Sequence, residues 1–223
     1  MVDAARLPVN TGANATQMAQ EIFGNGVTVV SATYTGDSRA SGTYSNGDSV
    51  ADELTPGDTG VILSTGRANR ITNNNGDANH STNTSTNTSG VNNNAQFNAL
   101  AGANTYDAAW LDIDFIPVGD TLTMQFVFSS EEYPEYTGSI YNDIFGVWVN
   151  GNLVTSPIVN VTQINSVNST SNGTLFNNNT NDDYNTEMDG FTITLKLTAP
   201  VNPGETNGIK IAIADGGDSS YDS

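Results

Sequence analysis

At 223 residues, with 36% hydrophobic content and no cysteine, the chain suits one large β domain and has no disulfide, thiolate nucleophile or cysteine metal site. Its 24 acidic residues against 6 basic ones give a net charge of −18, which makes phosphate backbones and anionic headgroups poor partners. Divalent cations would relieve that self-repulsion. No apolar run approaches the roughly 20 residues of a membrane span, and no signal peptide is visible.

Along the chain, residues 14–23 predict a helix. Asn14 or Thr16 caps it, Met18, Ala19 and Ile22 share a face, and Gly24 stops it. Residues 27–34 and 60–64 read as strands. Residues 73–98 are dominated by Asn, Ser, Thr and Gly, with almost no apolar side chain before Phe97. Such a stretch predicts a long, solvated surface loop, with His80, the sole histidine, exposed in it. From residue 109, Leu111, Ile113 and Phe115 alternate with Trp110, Asp112 and Asp114, so the aspartates point away from an apolar face. Residues 121–128 form another strand. Residues 144–149 and 152–155 flank Asn150-Gly151, the pair a type I′ hairpin turn requires. Residues 191–199 and 208–214 complete the set, with a second Asn-rich excursion at 165–187. This spacing predicts an all-β, jelly-roll-like β-sandwich with one short N-terminal helix, residues 1–223 forming a single domain.

Two acidic constellations stand out. The first, residues 129–143, carries Glu131 and Glu132 at one end and Asn142 and Asp143 at the other. If the flanking strands are antiparallel neighbours, these oxygens converge on one hard cation, and calcium takes six to eight such ligands. The bland alternative is an exposed acidic loop whose base is packed by Tyr133 and Tyr136. The second follows the strand at 208–214: Asp215, Gly217, Asp218, Tyr221 and Asp222. Its glycines allow a tight bend and lend carbonyls, though it lacks the EF-hand order. Both constellations are expected at the same end of the sandwich. Glu187, Asp189 and Asp107 could add ligands, or simply mark turns. With one histidine and no cysteine, transition-metal sites and Ser-His-Asp catalysis are poorly supported.

The run Phe126-Val-Phe-Ser-Ser-Glu-Glu-Tyr-Pro-Glu-Tyr, the run from Tyr141 through Asn-Asp-Ile-Phe-Gly-Val-Trp-Val-Asn-Gly, and the closing Ala-Asp-Gly-Gly-Asp-Ser-Ser-Tyr-Asp-Ser resemble the signature of the choice-of-anchor L domain. The resemblance covers residue 15 to the end. It implies a module of bacterial surface and exported proteins, including large repeats-in-toxin adhesins, that binds a peptide or glycan with calcium. It also implies an extracellular location, a role in adhesion or biofilm attachment, and neighbouring domains in a longer protein. The Asn-rich stretch 73–98 is longer than the family pattern requires.

The leading expectation is therefore a calcium-dependent binding module, not an enzyme, for a peptide or glycan on another cell or surface. Glu131, Glu132, Asn142, Asp143, Asp215, Asp218 and Asp222 are the expected calcium ligands. Tyr133, Tyr136, Tyr141, Gly217 and Tyr221 are the expected ligand contacts. Two alternatives remain: a structural, calcium-stiffened module of a matrix or filament, and a sandwich-fold glycoside hydrolase using two of the acids.

Overall fold

The computed structural model describes residues 2–81, 83–155 and 162–223; Thr82, inside the Asn-rich stretch, lies outside the described residues. In chain order the first elements are β1 (Val9–Asn10), α1 (Ala15–Ile22), β2 (Val27–Thr35), β3 (Ser41–Tyr44), α2 (Gly47–Val50), β4 (Gly60–Leu63), α3 (Ala95–Ala101) and β5 (Thr105–Pro117). They are followed by β6 (Thr121–Phe126), β7 (Ser129–Ser130), β8 (Ile144–Val149), β9 (Asn152–Leu153), β10 (Thr162–Gln163) and β11 (Phe176–Asn178). β12 (Gly190–Thr192), β13 (Leu195–Pro200) and β14 (Asn207–Gly216) complete the chain. No described helix is long and apolar enough to cross a membrane.

The fold is an all-β sandwich. Its larger sheet runs β10-β8-β14-β5-β2, antiparallel throughout, with β9 beside β8. Facing it are the β6–β13 pair, which continues into β7-β12-β11, and a separate β1-β3-β4 sheet. Period-two alternation drives the packing. Leu111, Ile113 and Phe115 of β5, Ile209 and Ile211 of β14, and Val147 and Val149 of β8 point inward to meet Leu122, Phe126, Leu195 and Leu197. Each such side chain stabilises the fold by roughly 1.5–3 kcal/mol on leaving water. Met18 and Ala19 of α1 close this core. Asn14 caps that helix in a reciprocal box with Gln17, both bonds 2.9 Å. The hairpin turn forms as expected, with Asn150 and Gly151 at φ 51° and 79°.

Two expectations need amending. The 73–98 stretch runs over the surface largely without regular structure, as expected, but it is anchored rather than loose: it ends in α3, whose Phe97 packs with Ala212, Ala214 and Trp148 on the outer face of the large sheet. Asn94 caps α3 by accepting the Gln96 and Phe97 amides. Asn73, Ala78, Asn79 and Thr88 are also buried, whereas His80 is exposed as expected. β6 and β8 are not neighbours. β6 pairs with β13, β8 pairs with β14, and Phe126 and Phe145 meet across the sandwich with ring centroids 4.5 Å apart. The sequence reason is visible in the two strands. β8 is apolar on both faces and belongs in a covered central position, while β6 exposes Thr121, Thr123 and Gln125. The segment joining them is an arch between sheets.

Candidate functional site

The start of β5, the end of β14 and the start of β8 meet at one pole of the sandwich, as Gly216 opposite Thr105 and Ala214 opposite Ile144 show. The arch 127–143 and the tail 215–223 leave from this pole together. Asn142 N–H donates to the Gly216 carbonyl (3.0 Å), and Glu131 N–H donates to the Asp222 carbonyl (3.1 Å). The two constellations therefore share one end of the molecule.

A bulge helps to build the pole. Between Ile213 and Asp215, β14 advances two residues while β5 advances three, from Ala109 to Tyr106. Asp107 takes up the extra length at φ 47° and its side chain is buried. Ala108 is left free to pair with Val91 (3.1 and 3.3 Å). That pairing ties the Asn-rich stretch across the acids as a strap. The strap then donates amides to carboxylates: Thr86 to Asp222 (2.7 Å), Thr88 to Asp107 (3.2 Å), and His80 and Ser81 to Glu187 (2.9 and 3.2 Å). Asn79 donates its side-chain amide to Asp189 (2.6 Å).

Burial here is unusual. Asp37, Asp107, Glu131, Glu132, Asp143, Glu187, Asp189, Asp215 and Asp222 are all buried, yet among the described residues only Asp37 of these has a salt-bridge partner, Arg39 at 2.7 Å. That pair holds Asp37 far below the usual carboxylate range. Asp107, Glu131, Glu132, Asp143, Asp189, Asp215 and Asp222 move upward, each chiefly through burial. Burial, reinforced by Asp189, pushes Glu131 to about 10, and burial with Asp143 and Asp218 pushes Glu132 to about 9. Asp143 rises to about 7 through burial, opposed by hydrogen bonds from Ser223 Oγ (2.6 Å), Gly216 N–H (2.9 Å) and Ser130 Oγ (3.2 Å). Asp189 and Asp222 rise to about 6, and Asp215 lies far above its ordinary value, chiefly from burial and then Asp143.

Among the described residues, four buried carboxyl oxygens have no hydrogen-bond partner of good geometry: both of Glu131, Oε2 of Glu132 and Oδ1 of Asp215, with the Thr84 and Thr65 hydroxyls nearby. The nearby Thr84 hydroxyl donates instead to the Ser81 carbonyl. Unpaired buried carboxylates cost several kcal/mol each unless a proton or a cation joins them. All available donors are hard oxygens, from carboxylates, hydroxyls and main-chain carbonyls. That set fits calcium and does not fit softer metals. Among the described residues, no three acidic or histidine side chains gather as a ready-made metal group. An ion here would therefore draw on carbonyl and hydroxyl oxygens as well as acids.

The remaining expected residues divide sharply. Asn142 is engaged elsewhere: its amide donates to Ala101 and Gln163 and accepts from Asn165 N–H. Tyr133 cannot meet a ligand. It is wholly buried, donates to the Val167 carbonyl (2.6 Å) and lies tilted against the Phe176 ring, so it packs the base of the arch. Asp218 is half-buried at the rim and accepts from Ser220 N–H. Beside it, Tyr136 contacts Tyr141 and Tyr221 with ring centroids 5.3 and 5.2 Å apart, all three half-exposed. Gly217, at φ 98°, lies so close to the Ile140 carbonyl that a side chain would not fit. Sequence reading missed Asp37, Asn79, Thr86 and Thr88 because their spacing carries no signal; only the fold assembles them.

No curated protein and no solved structure matches the chain. The family model of the choice-of-anchor L domain, a domain of surface-associated bacterial proteins, matches residues 8–223. This chain belongs to the choice-of-anchor L domain family.

Proposed function

We propose that the chain is a calcium-dependent binding module, not an enzyme, with which a bacterial surface adhesin grips a peptide or glycan on another cell or in a biofilm. The observation that carries this reading is the set of buried carboxyl oxygens on Glu131, Glu132 and Asp215 that lack a partner of good geometry among the described residues. Calcium would be held by no more than two acids at a time, drawn from these three and from Asp143, Asp218 and Asp222, with main-chain carbonyl and hydroxyl oxygens completing each ion, and would supply the positive charge that the chain itself lacks. The acids then take two roles by depth. Glu131 and Asp215 are sealed from solvent, so ions held there stiffen the arch, strap and tail. Asp218 sits at the rim beside Tyr136, Tyr141 and Tyr221, where aromatic faces and an incompletely covered ion together favour a ligand carboxylate or vicinal hydroxyls. The depth of Glu131 and Glu132 also supports binding over glycoside hydrolysis, since a sugar would not reach them.

The test is a peptide and glycan array probed with and without chelator, repeated with Asp143→Asn and Asp218→Asn. Asn keeps the shape and one oxygen but removes the charge. Calcium-dependent hits that vanish in either variant below its melting temperature are expected. Hits bound equally in chelator would refute the reading.

A further inference from the structure

A cavity of about 620 Å³ separates the β1-β3-β4 sheet from β6. Consecutive residues 59–64 on one side and 123–129 on the other line it, as happens when strand edges rather than faces border a groove. Among the described residues, β4 pairs only with β3 and β6 only with β13, so each turns an unpaired main-chain edge toward the other. Unpaired edges accept added strands. The floor is apolar, formed by Leu111, Phe145, Ile211 and Ile213 of the large sheet. The charge is distinctive too. Arg67, Arg70 and Lys196, three of the six basic residues in this strongly acidic chain, line the cavity against only Glu21 and Asp222. Among the described residues, buried Arg67 Nε has no hydrogen-bond partner.

We propose that this groove is a strand-acceptor site, which takes from another polypeptide an extended segment with every second side chain apolar and an acidic group facing Arg67. Main-chain bonds to both edges would give the segment its register. Alternate apolar side chains would cover the floor, and the acidic group would satisfy the guanidinium. The groove abuts the acidic pole at Asp222, which lines it, but its proposed contacts are strand edges and cations, so the proposal does not rest on the calcium reading.

The probe is a fluorescent peptide of alternating valine and threonine flanked by aspartates, titrated into the whole chain in saturating calcium. Saturable binding is expected, with amide exchange slowed at residues 60–64 and 123–128. N-methylation of alternate peptide amides should abolish binding, because it removes the donors to one edge. Arg67→Glu should weaken binding about tenfold, the scale of one lost charge-assisted hydrogen bond. Folding of that variant is checked by its melting curve, and the N-methyl comparison needs no variant at all. Absent binding, binding indifferent to N-methylation, or binding only when the peptide is fused behind Ser223 would each overturn the proposal. Calcium-dependent stability and array binding would be untouched by those outcomes, so the two readings fail separately.

Discussion

The body of the sandwich and its acidic pole are equally buried, yet burial acts on them with opposite sign. In the body, Leu111, Phe115 and Ile211 stabilise the fold simply by leaving water. At the pole, Glu131, Asp143 and Asp215 oppose folding as they leave water, unless something neutralises them. The body is therefore indifferent to ions and protons, while the pole makes folding conditional on both.

Removing divalent cations is expected to have the largest effect. An ion that binds only the folded form contributes about 4 kcal/mol per site at a thousandfold excess over its dissociation constant. Chelation should lower the melting temperature steeply and loosen the arch, strap and tail first. Leu111→Ala, a body variant, should cost about 2–5 kcal/mol in calcium and chelator alike. Superimposable wild-type melting curves in the two media, at equal ionic strength, would erase the contrast.

The pH dependence sharpens it. In chelator, the folded values of Glu131 (about 10), Glu132 (about 9), Asp143 (about 7), Asp189 and Asp222 (about 6) lie above those of unfolded carboxylates. Above the unfolded values, near 4, the folded state then holds more protons. Stability is full below that point and falls as pH rises through the folded values, by about 1.4 kcal/mol per pH unit for each group in its window. Moving from pH 8 to pH 5.5 should therefore raise the melting temperature in chelator. In calcium the ions hold the carboxylates charged, protons compete with them, and the same change should lower it. Slopes of the same sign in both media would contradict cation occupancy of the pole.

The body was also the more legible region in the sequence. Period-two alternation around Leu111, Ile113 and Phe115 marks a face without reference to anything distant, and Asn150-Gly151 marks its own turn. The pole was legible only where acids cluster along the chain, as in Glu131-Glu132 and the tail. Asp107 and Asp189 were marked only by their places before strands, and Asp37 reaches the pole from a loop that no local pattern announces. The Asn-rich strap misled for a different reason. Its ordering derives from hydrogen bonds to buried carboxylates rather than from apolar burial, so composition alone reads it as solvated. β6 and β8 do not pair despite their adjacency in the chain, because the two-faced apolar pattern of β8 places it inside the covered sheet.

A smaller effect separates packing at the pole from charge there. Gly66 lies against the Asp222 carboxyl so closely that a Cβ has no room, whereas nothing lies within 4 Å of the position a Cβ would take on Gly57. Gly66→Ala should cost about 1–3 kcal/mol by overpacking and displace Asp222. Gly57→Ala should be close to neutral. Melting both variants in calcium checks the pair, and equal costs would mean that Asp222 can move freely.

The smallest effect on stability is expected at the rim, where the functional effect is expected to be largest. Tyr136 is half-exposed and touches Tyr141 and Tyr221 rather than the apolar body. Tyr136→Ala loses two aromatic edges worth about 0.5–1.5 kcal/mol each at most, less where water already reaches the rings. Its melting temperature in calcium should therefore move little, and its response to chelator should match the wild type, since no carboxylate is disturbed. If the three rings wall the ligand, affinity for an array hit should fall about tenfold or more, as truncation of an aromatic anchor does at other interfaces. Asp143→Asn should show the reverse balance, with a large loss in melting temperature and a loss of binding that follows it. Parallel melting and binding curves for the two variants measure this directly. A Tyr136→Ala protein of unchanged affinity would move the ligand away from the aromatic rim and leave the pole with a purely structural role.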